Sequence, residues 1–299
     1  MFWIYAAIAS AATAAIVAII DSFLLSKKMP SLWSYLLPVG TIQLIMGLVV
    51  LWLDPFPSNI EITTVLIAFS AGLSSSFAII LMLNTMRRDE VSRIIPVVNT
   101  SPIFVAIMAV PLLNESLGYK EWLAIICAVI GAMLISLRWD AGIKRITFSR
   151  MLIPLFLSSL LFAAANIAIK YALDDISYWN MFSVSTICFG VVFFMFSLRP
   201  AVIKELRNMK QLRQSMTLLV FNEIVAAGAG ILSYLAIRDG PVSFASTIIN
   251  TRPAFVFIFA LLLSRFFPTV LNERLTRGIA LVKFAAIVMI VGGVALLTL

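Results

Sequence analysis

The chain reads as an all-α membrane protein of ten transmembrane helices, arranged as two inverted five-helix repeats. Three observations predict this. Hydrophobic residues make up 62% of the sequence and charged ones only 12%, too little charge to cover a soluble surface. Apolar runs of about 20 residues, the length that crosses a bilayer's hydrocarbon, recur along the chain. And "VVNTSPIFV" at 97–105 returns as "IINTRPAFV" at 248–256.

Charged or Pro-rich gaps cut the runs into ten spans: 2–25, 32–53, 62–83, 91–112, 122–137, 151–173, 178–198, 215–237, 242–266 and 278–297. In hydrocarbon each backbone must satisfy its own hydrogen bonds, so these are helices. The first lacks the basic n-region of a signal peptide and is expected to stay as a helix. The fifth is short.

Net charge is +8 with no His, and its placement excludes a nucleic-acid groove. Gaps after odd-numbered spans hold nearly all the basic residues, from Lys27 and Lys28 through Arg87, Arg88, Arg93, Arg138, Lys144, Arg145, Arg150, Arg199, Lys204, Arg207, Lys210, Arg213 and Arg265 to Arg274 and Arg277, whereas gaps after even-numbered spans hold Lys120 and Arg238. The positive-inside rule then predicts an inner-membrane protein with both termini periplasmic. Cys127 and Cys188 lie in apolar runs, where packing is their expected role. No metal cluster, phosphate loop or nucleophile motif occurs, so no cofactor and no enzyme chemistry is expected.

Aligning 86–105 with 237–256 gives eight identities in twenty positions: Arg87/Arg238, Val91/Val242, Ser92/Ser243, Asn99/Asn250, Thr100/Thr251, Pro102/Pro253, Phe104/Phe255 and Val105/Val256. Shared apolar bias does not match Asn, Thr and Pro at fixed spacing. "NESL" at 114–117 answers "NERL" at 272–275, and Gly131 answers Gly292 in the closing span of each copy. The copies are taken as 1–145 and 146–299. Five spans is an odd number, so the second copy enters the bilayer inverted. Inverted repeats are the plan of carriers that work by alternating access.

The phrases "TSPIFVAIM" and "TRPAFVFIF", each followed by "NESLGYKEW" or "NERLTRGIA", resemble the EamA domain of the drug/metabolite transporter superfamily. The resemblance covers nearly the whole chain and implies a secondary transporter. Members export amino acids and metabolites, carry nucleotide or phosphorylated sugars, or move lipid-linked groups. Well-studied eukaryotic relatives keep both termini in the cytosol, opposite to the charge count here. The expected function is export of a small metabolite, first an amino acid. A broad drug extruder and a lipid-handling or partner subunit are the alternatives.

Site candidates are the polar residues inside spans. Arg252 sits near the bilayer midplane, where charge is costly and functional, and its repeat partner is Ser101. Glu223 lies at similar depth, about 25 Å from the Arg238–Pro241 turn against about 19 Å for Arg252 at 1.5 Å per residue; its repeat partner is Gly72. Two readings stay open: a buried ion pair tying span eight to span nine, or a guanidinium for a substrate carboxylate with a carboxylate for an ammonium or a coupling proton. Asn99 and Asn250 are candidate substrate contacts or interhelical hydrogen bonders. Pro102 and Pro253 are candidate mid-helix hinges. Asp21, Lys170 and Lys283 read as interfacial, and Glu115 and Glu273 as caps of the last helix of each copy. The partners expected are a small-molecule substrate and the lipid bilayer, with proton coupling open and no nucleic acid.

Overall fold

A computed structural model describes residues 2–86, 97–136, 152–266 and 277–298. The described elements are helical: α1 (Phe2–Phe23, extended by a π-helical turn Leu24–Lys28), α2 (Leu32–Leu53), α3 (Ile62–Met86), α4 (Ser101–Leu113), α5 (Tyr119–Ser136), α6 (Leu152–Ala172), α7 (Tyr178–Ser197), α8 (Pro200–Arg207), α9 (Leu212–Asp239), α10 (Val242–Ile249), α11 (Arg252–Phe266) and α12 (Arg277–Thr298). Among them, eight helical segments are long and apolar enough to cross a membrane, and Ser101–Leu113 and Leu281–Leu297 are shorter apolar helices. The short α8 is an element the hydropathy reading passes over, because it lies in a gap between spans. The loop cations Arg87, Arg88, Arg93, Arg138, Lys144, Arg145, Arg150 and Arg274, together with Glu273 and the side chains of Arg265 and Arg277, lie outside the described residues.

Burial follows from lipid as the solvent. On α3, Ile62, Leu66, Phe69, Leu73 and Phe77 recur every three or four residues and are all exposed, a continuous apolar stripe that only hydrocarbon suits. The opposite face carries small residues, with Ala68, Ala71 and Ala78 buried in the bundle.

Four pairs dominate the packing: α2 with α7, α5 with α12, α3 with α6, and α1 with α9. Exchanging the first five spans for the second five maps this set onto itself. The first two pairs map onto themselves, and α3·α6 becomes α9·α1. Each self-paired couple crosses at glycines. A Cβ on Gly40 would stand 3.0 Å from the Phe193 Cβ, and one on Gly190 would stand 2.7 Å from the Leu44 Cβ. A Cβ on Gly131 would meet the Ala286 carbonyl and one on Gly293 the Ala124 carbonyl, each at 2.7 Å. Positions rise along one helix as they fall along the other, so both couples run antiparallel. Gly292, by contrast, faces open space.

One end of the bundle is tied across the two halves. Ser177 donates to the Asp54 carboxylate at 2.6 Å and Thr64 to Asp175 at 2.7 Å, and within the second half Lys170 Nζ donates to the Arg238 and Gly240 carbonyls at 2.7 and 3.1 Å. Lys170 therefore neutralises the carbonyl end of α9, a favourable place for a cation.

Glu115 corrects the sequence reading. It does cap a helix, but across the repeat rather than at the start of α5. α4 ends on Asn114, left-handed at φ 53°, a conformation that Asn tolerates. The carboxylate of the next residue then accepts the backbone N–H groups of Val242 and Ser243 and the Ser243 hydroxyl. Sequence spacing cannot show this, because the partner lies 127 residues away.

Two outcomes test these contacts. Glu115→Ala should lower stability by about 1–3 kcal/mol, because it strips a charged acceptor from a helix start, and Glu115→Gln by less; thermal unfolding in detergent measures both. Gly190→Leu should destabilise at least as strongly, by overpacking the α2–α7 crossing by about 1–3 kcal/mol.

Candidate substrate site

The ninth apolar run is helical on both sides of a two-residue turn. α10 stops at Ile249, Asn250 and Thr251 form a turn, and α11 starts afresh at Arg252. Pro253 is thus the second residue of a helix, and Pro102 holds the same place in α4. A two-residue turn therefore interrupts the helical run just before each proline. Proline suits a first helical turn, where its missing N–H removes a donor that has no intrahelical acceptor.

The break is closed alike in both copies. Thr251 Oγ1 donates to the Ile248 carbonyl at 2.7 Å and Thr100 Oγ1 to the Val97 carbonyl at 2.6 Å. The Ala254 and Ile103 N–H groups return to the Thr251 and Thr100 carbonyls at 2.9 and 3.0 Å. Side chains and tight turns replace the backbone bonds that the break removes, as a membrane interior demands.

Arg252, the first residue of α11, is exposed and lines a cavity of about 130 Å³ with Ala14, Val17, Ala18 and Asp21 of α1 and Ala226 and Ala229 of α9. The small residues make the space. Asp21 shares the cavity wall with the guanidinium, and opposite charges there attract. Among the described residues no salt bridge joins Arg252 to Glu223, the first of the two readings left open by the sequence. A wider groove of about 800 Å³ runs along Lys210–Phe221. Its walls come from one stretch of chain, so it is the flank of a helix and not an enclosed site.

Both carboxylates are held by neutral donors. Tyr35 Oη of α2 and Asn222 Nδ2 of α9 donate to Asp21 Oδ1 at 2.6 and 2.5 Å. Gln43 Nε2 of α2 donates to Glu223 Oε2 at 2.6 Å. Asp21 is therefore a member of the site and not an interfacial residue paired towards Lys27.

The other candidates are placed elsewhere. Asn99 is 3% exposed and donates to the Ala132 carbonyl at 3.4 Å and to Ser136 Oγ at 3.1 Å, joining the α4 break to α5. Asn250 donates to the Ser246 carbonyl of its own helix at 2.8 Å. Lys283 is buried, with its ammonium 4.5 Å from the centre of the Phe257 ring, a cation–π contact that ties α12 to α11. Tyr35, Gln43 and Asn222 are site residues that the sequence reading passed over. Gln43, a polar residue inside a 22-residue apolar helix, was the available signal.

Lipid-facing flanks, close helix crossings and a charged cavity beside an interrupted helix describe an integral membrane protein. The model of the EamA-like transporter family matches residues 1–137, so the first part of the chain is similar to that family. No curated protein matches it. A solved structure, titled only "Crystal structure of protein", is similar with a TM-score of 0.70 and 12% identity over 99% of this chain and 94% of that one. At that identity the likeness shows the fold.

Placement of the guanidinium is directly checkable. In a background carrying Cys127→Ala and Cys188→Ala, Arg252→Cys should react with a small hydrophilic thiol reagent at least ~10-fold faster than Asn99→Cys, because access governs thiol modification. Equal rates would remove Arg252 from the cavity.

Proposed function

We propose that the protein is a secondary transporter that exports a small metabolite, first an amino acid, across the bacterial inner membrane by alternating access. Its halves, 1–145 and 146–299, act as inverted five-helix repeats of ten spans with both termini periplasmic. The exchange-symmetric packing, the antiparallel glycine crossings and the matched breaks at Asn99–Thr100 and Asn250–Thr251 support that architecture.

One observation carries the substrate reading: a guanidinium without an ion-pair partner shares a small cavity with a carboxylate. A free Arg fork takes a substrate carboxylate in two parallel hydrogen bonds. Arg252 also heads α11, so the positive end of the helix adds to its pull on an anion. Glu223 then takes the ammonium group or a coupling proton. Asn250 and Asn99 hold the two breaks together beside the path, and Pro102 and Pro253 give each half a place to pivot. The cavity of about 130 Å³ is well below the roughly 300–1,000 Å³ of pockets that take drug-sized ligands. That favours a small metabolite over a broad drug extruder.

Counterflow in proteoliposomes containing only this protein, with labelled amino acids and no imposed gradient, tests the reading. Wild type should exchange label, and Arg252→Gln and Glu223→Gln should each cut kcat/KM by roughly 100-fold, since each leaves a substrate charge unanswered. Unchanged rates in both variants would sink the assignment of these residues. Silence from folded wild type that becomes transport when another chain is added would point to a partner subunit.

A further inference from the structure

We infer that the substrate carries a second cationic group, as a basic amino acid does, and that Asp21 is its third point of recognition. This rests on the amino-acid reading above and narrows it.

The first argument is charge. Asp21 lines the cavity with one guanidinium, Arg252, and Glu223 lies buried behind it, next in sequence to Asn222, which donates to Asp21. A simple zwitterion brings one charge of each sign and leaves the filled site one negative charge in excess. In a low-dielectric bundle such an excess is expensive. An amino acid with a cationic side chain brings the missing positive charge: its carboxylate answers Arg252, and its two cationic groups answer Glu223 and Asp21.

Hydrogen bonding gives a second and independent argument. Asp21 receives both of its donors, Tyr35 and Asn222, on Oδ1, and Glu223 receives Gln43 on Oε2. Asp21 Oδ2 and Glu223 Oε1 take no hydrogen bond from either. Beside them, Asn222 Oδ1 and Gln43 Oε1 are buried acceptors with no donor, and Asn222 as a whole is fully buried. Buried polar atoms are nearly always partnered, so this pair marks a place built to receive N–H groups from something else. The Tyr35 hydroxyl and both amide NH₂ groups are already committed to the carboxylates. A ligand that completes the site must bring an excess of donors. An ammonium supplies three, and a guanidinium five.

The geometry also separates the two carboxylates. Asp21 lies on the cavity wall with Arg252, whereas Glu223 is 4% exposed and held from α2 by Gln43. One acid on the cavity wall and a second held behind it suit two cations on one molecule better than they suit a single ammonium.

The experiment compares lysine with norleucine, which keeps the chain and loses the terminal amine, and with cadaverine, which keeps both amines and loses the carboxylate. Each is measured by counterflow in the same proteoliposomes at zero membrane potential. Lysine should exceed both by at least ~100-fold in kcat/KM, the discrimination expected when a site built for a hydrogen-bonding group meets an analogue without it. Asp21→Asn should collapse the lysine-to-norleucine ratio to within a few-fold. Norleucine carried as well as lysine by wild type overturns the inference whether or not the variant folds, and leaves the amino-acid reading standing. A ratio preserved in Asp21→Asn overturns the role of Asp21. Cadaverine carried as well as lysine, or no amino acid carried at all, overturns the amino-acid reading and this inference with it.

Discussion

Two residues of unwound backbone, Asn250 and Thr251, set the terms for the rest of the molecule. Inside hydrocarbon an interrupted helix exposes carbonyls at one broken end and N–H groups at the other, and no water is present to take them. The chain answers with its own side chains. Thr251 and Asn250 return to carbonyls of α10, and Pro253 has no N–H to satisfy. The break then presents the start of α11, with Arg252 as its first residue, to the space between α1 and α9. A continuous helix would carry the same guanidinium on a flank, with no helix end behind it. The interruption is what puts a helix start behind the charged residue.

The cavity that receives Arg252 depends in turn on small side chains. Ala14 and Ala18 on α1 and Ala226 and Ala229 on α9 leave room where leucines would fill it. Ser10 donates to the Ala229 carbonyl at 2.9 Å and fixes the two helices at that separation. The polar residues then position one another across three helices: α2 supplies Tyr35 and Gln43, α9 supplies Asn222 and Glu223, and α1 supplies Asp21. Each acid is held by neutral donors, so its charge is oriented without being cancelled. That arrangement costs stability in a membrane protein, and residues of this kind are retained where they act on something.

The helical class and the membrane setting were legible in the sequence because lipid imposes length and hydropathy on every span. Span 32–53 matched its helix to the residue. What stayed hidden was everything decided between helices. Pro102 and Pro253 read as kinks because a proline in a long apolar run marks a disturbance but not its extent. Arg252 and Glu223 were visible as charges out of place, yet their partners were not. Depth along two helices says nothing about rotation, and rotation gives Glu223 to Gln43. Asp21 looked interfacial from its place near the end of α1, because a sequence does not reveal that Tyr35 and Asn222 converge there. Glu115 had the right chemistry assigned to the wrong helix for the same reason.

The same packing explains why a nearly symmetric scaffold carries an asymmetric site. Under the repeat, Glu223 corresponds to Gly72 and Arg252 to Ser101. Gly72 lies hard against α7: a Cβ there would stand 2.9 Å from Cys188 Sγ. A carboxylate at that position would have to force α3 away from α7, so the first copy has no room for the charge that the second copy uses. In the second copy the corresponding gap, between α9 and α2, is bridged by the Gln43–Glu223 hydrogen bond instead of being closed by a glycine. Ser101 is 5% exposed at the head of α4, where a guanidinium would meet no cavity. The glycine that closes one interface and the glutamate that props open its counterpart are therefore two solutions at one repeat position. At these two repeat positions the charges therefore fall in the second copy alone, with Arg252 on the cavity wall beside Asp21 and Glu223 behind it.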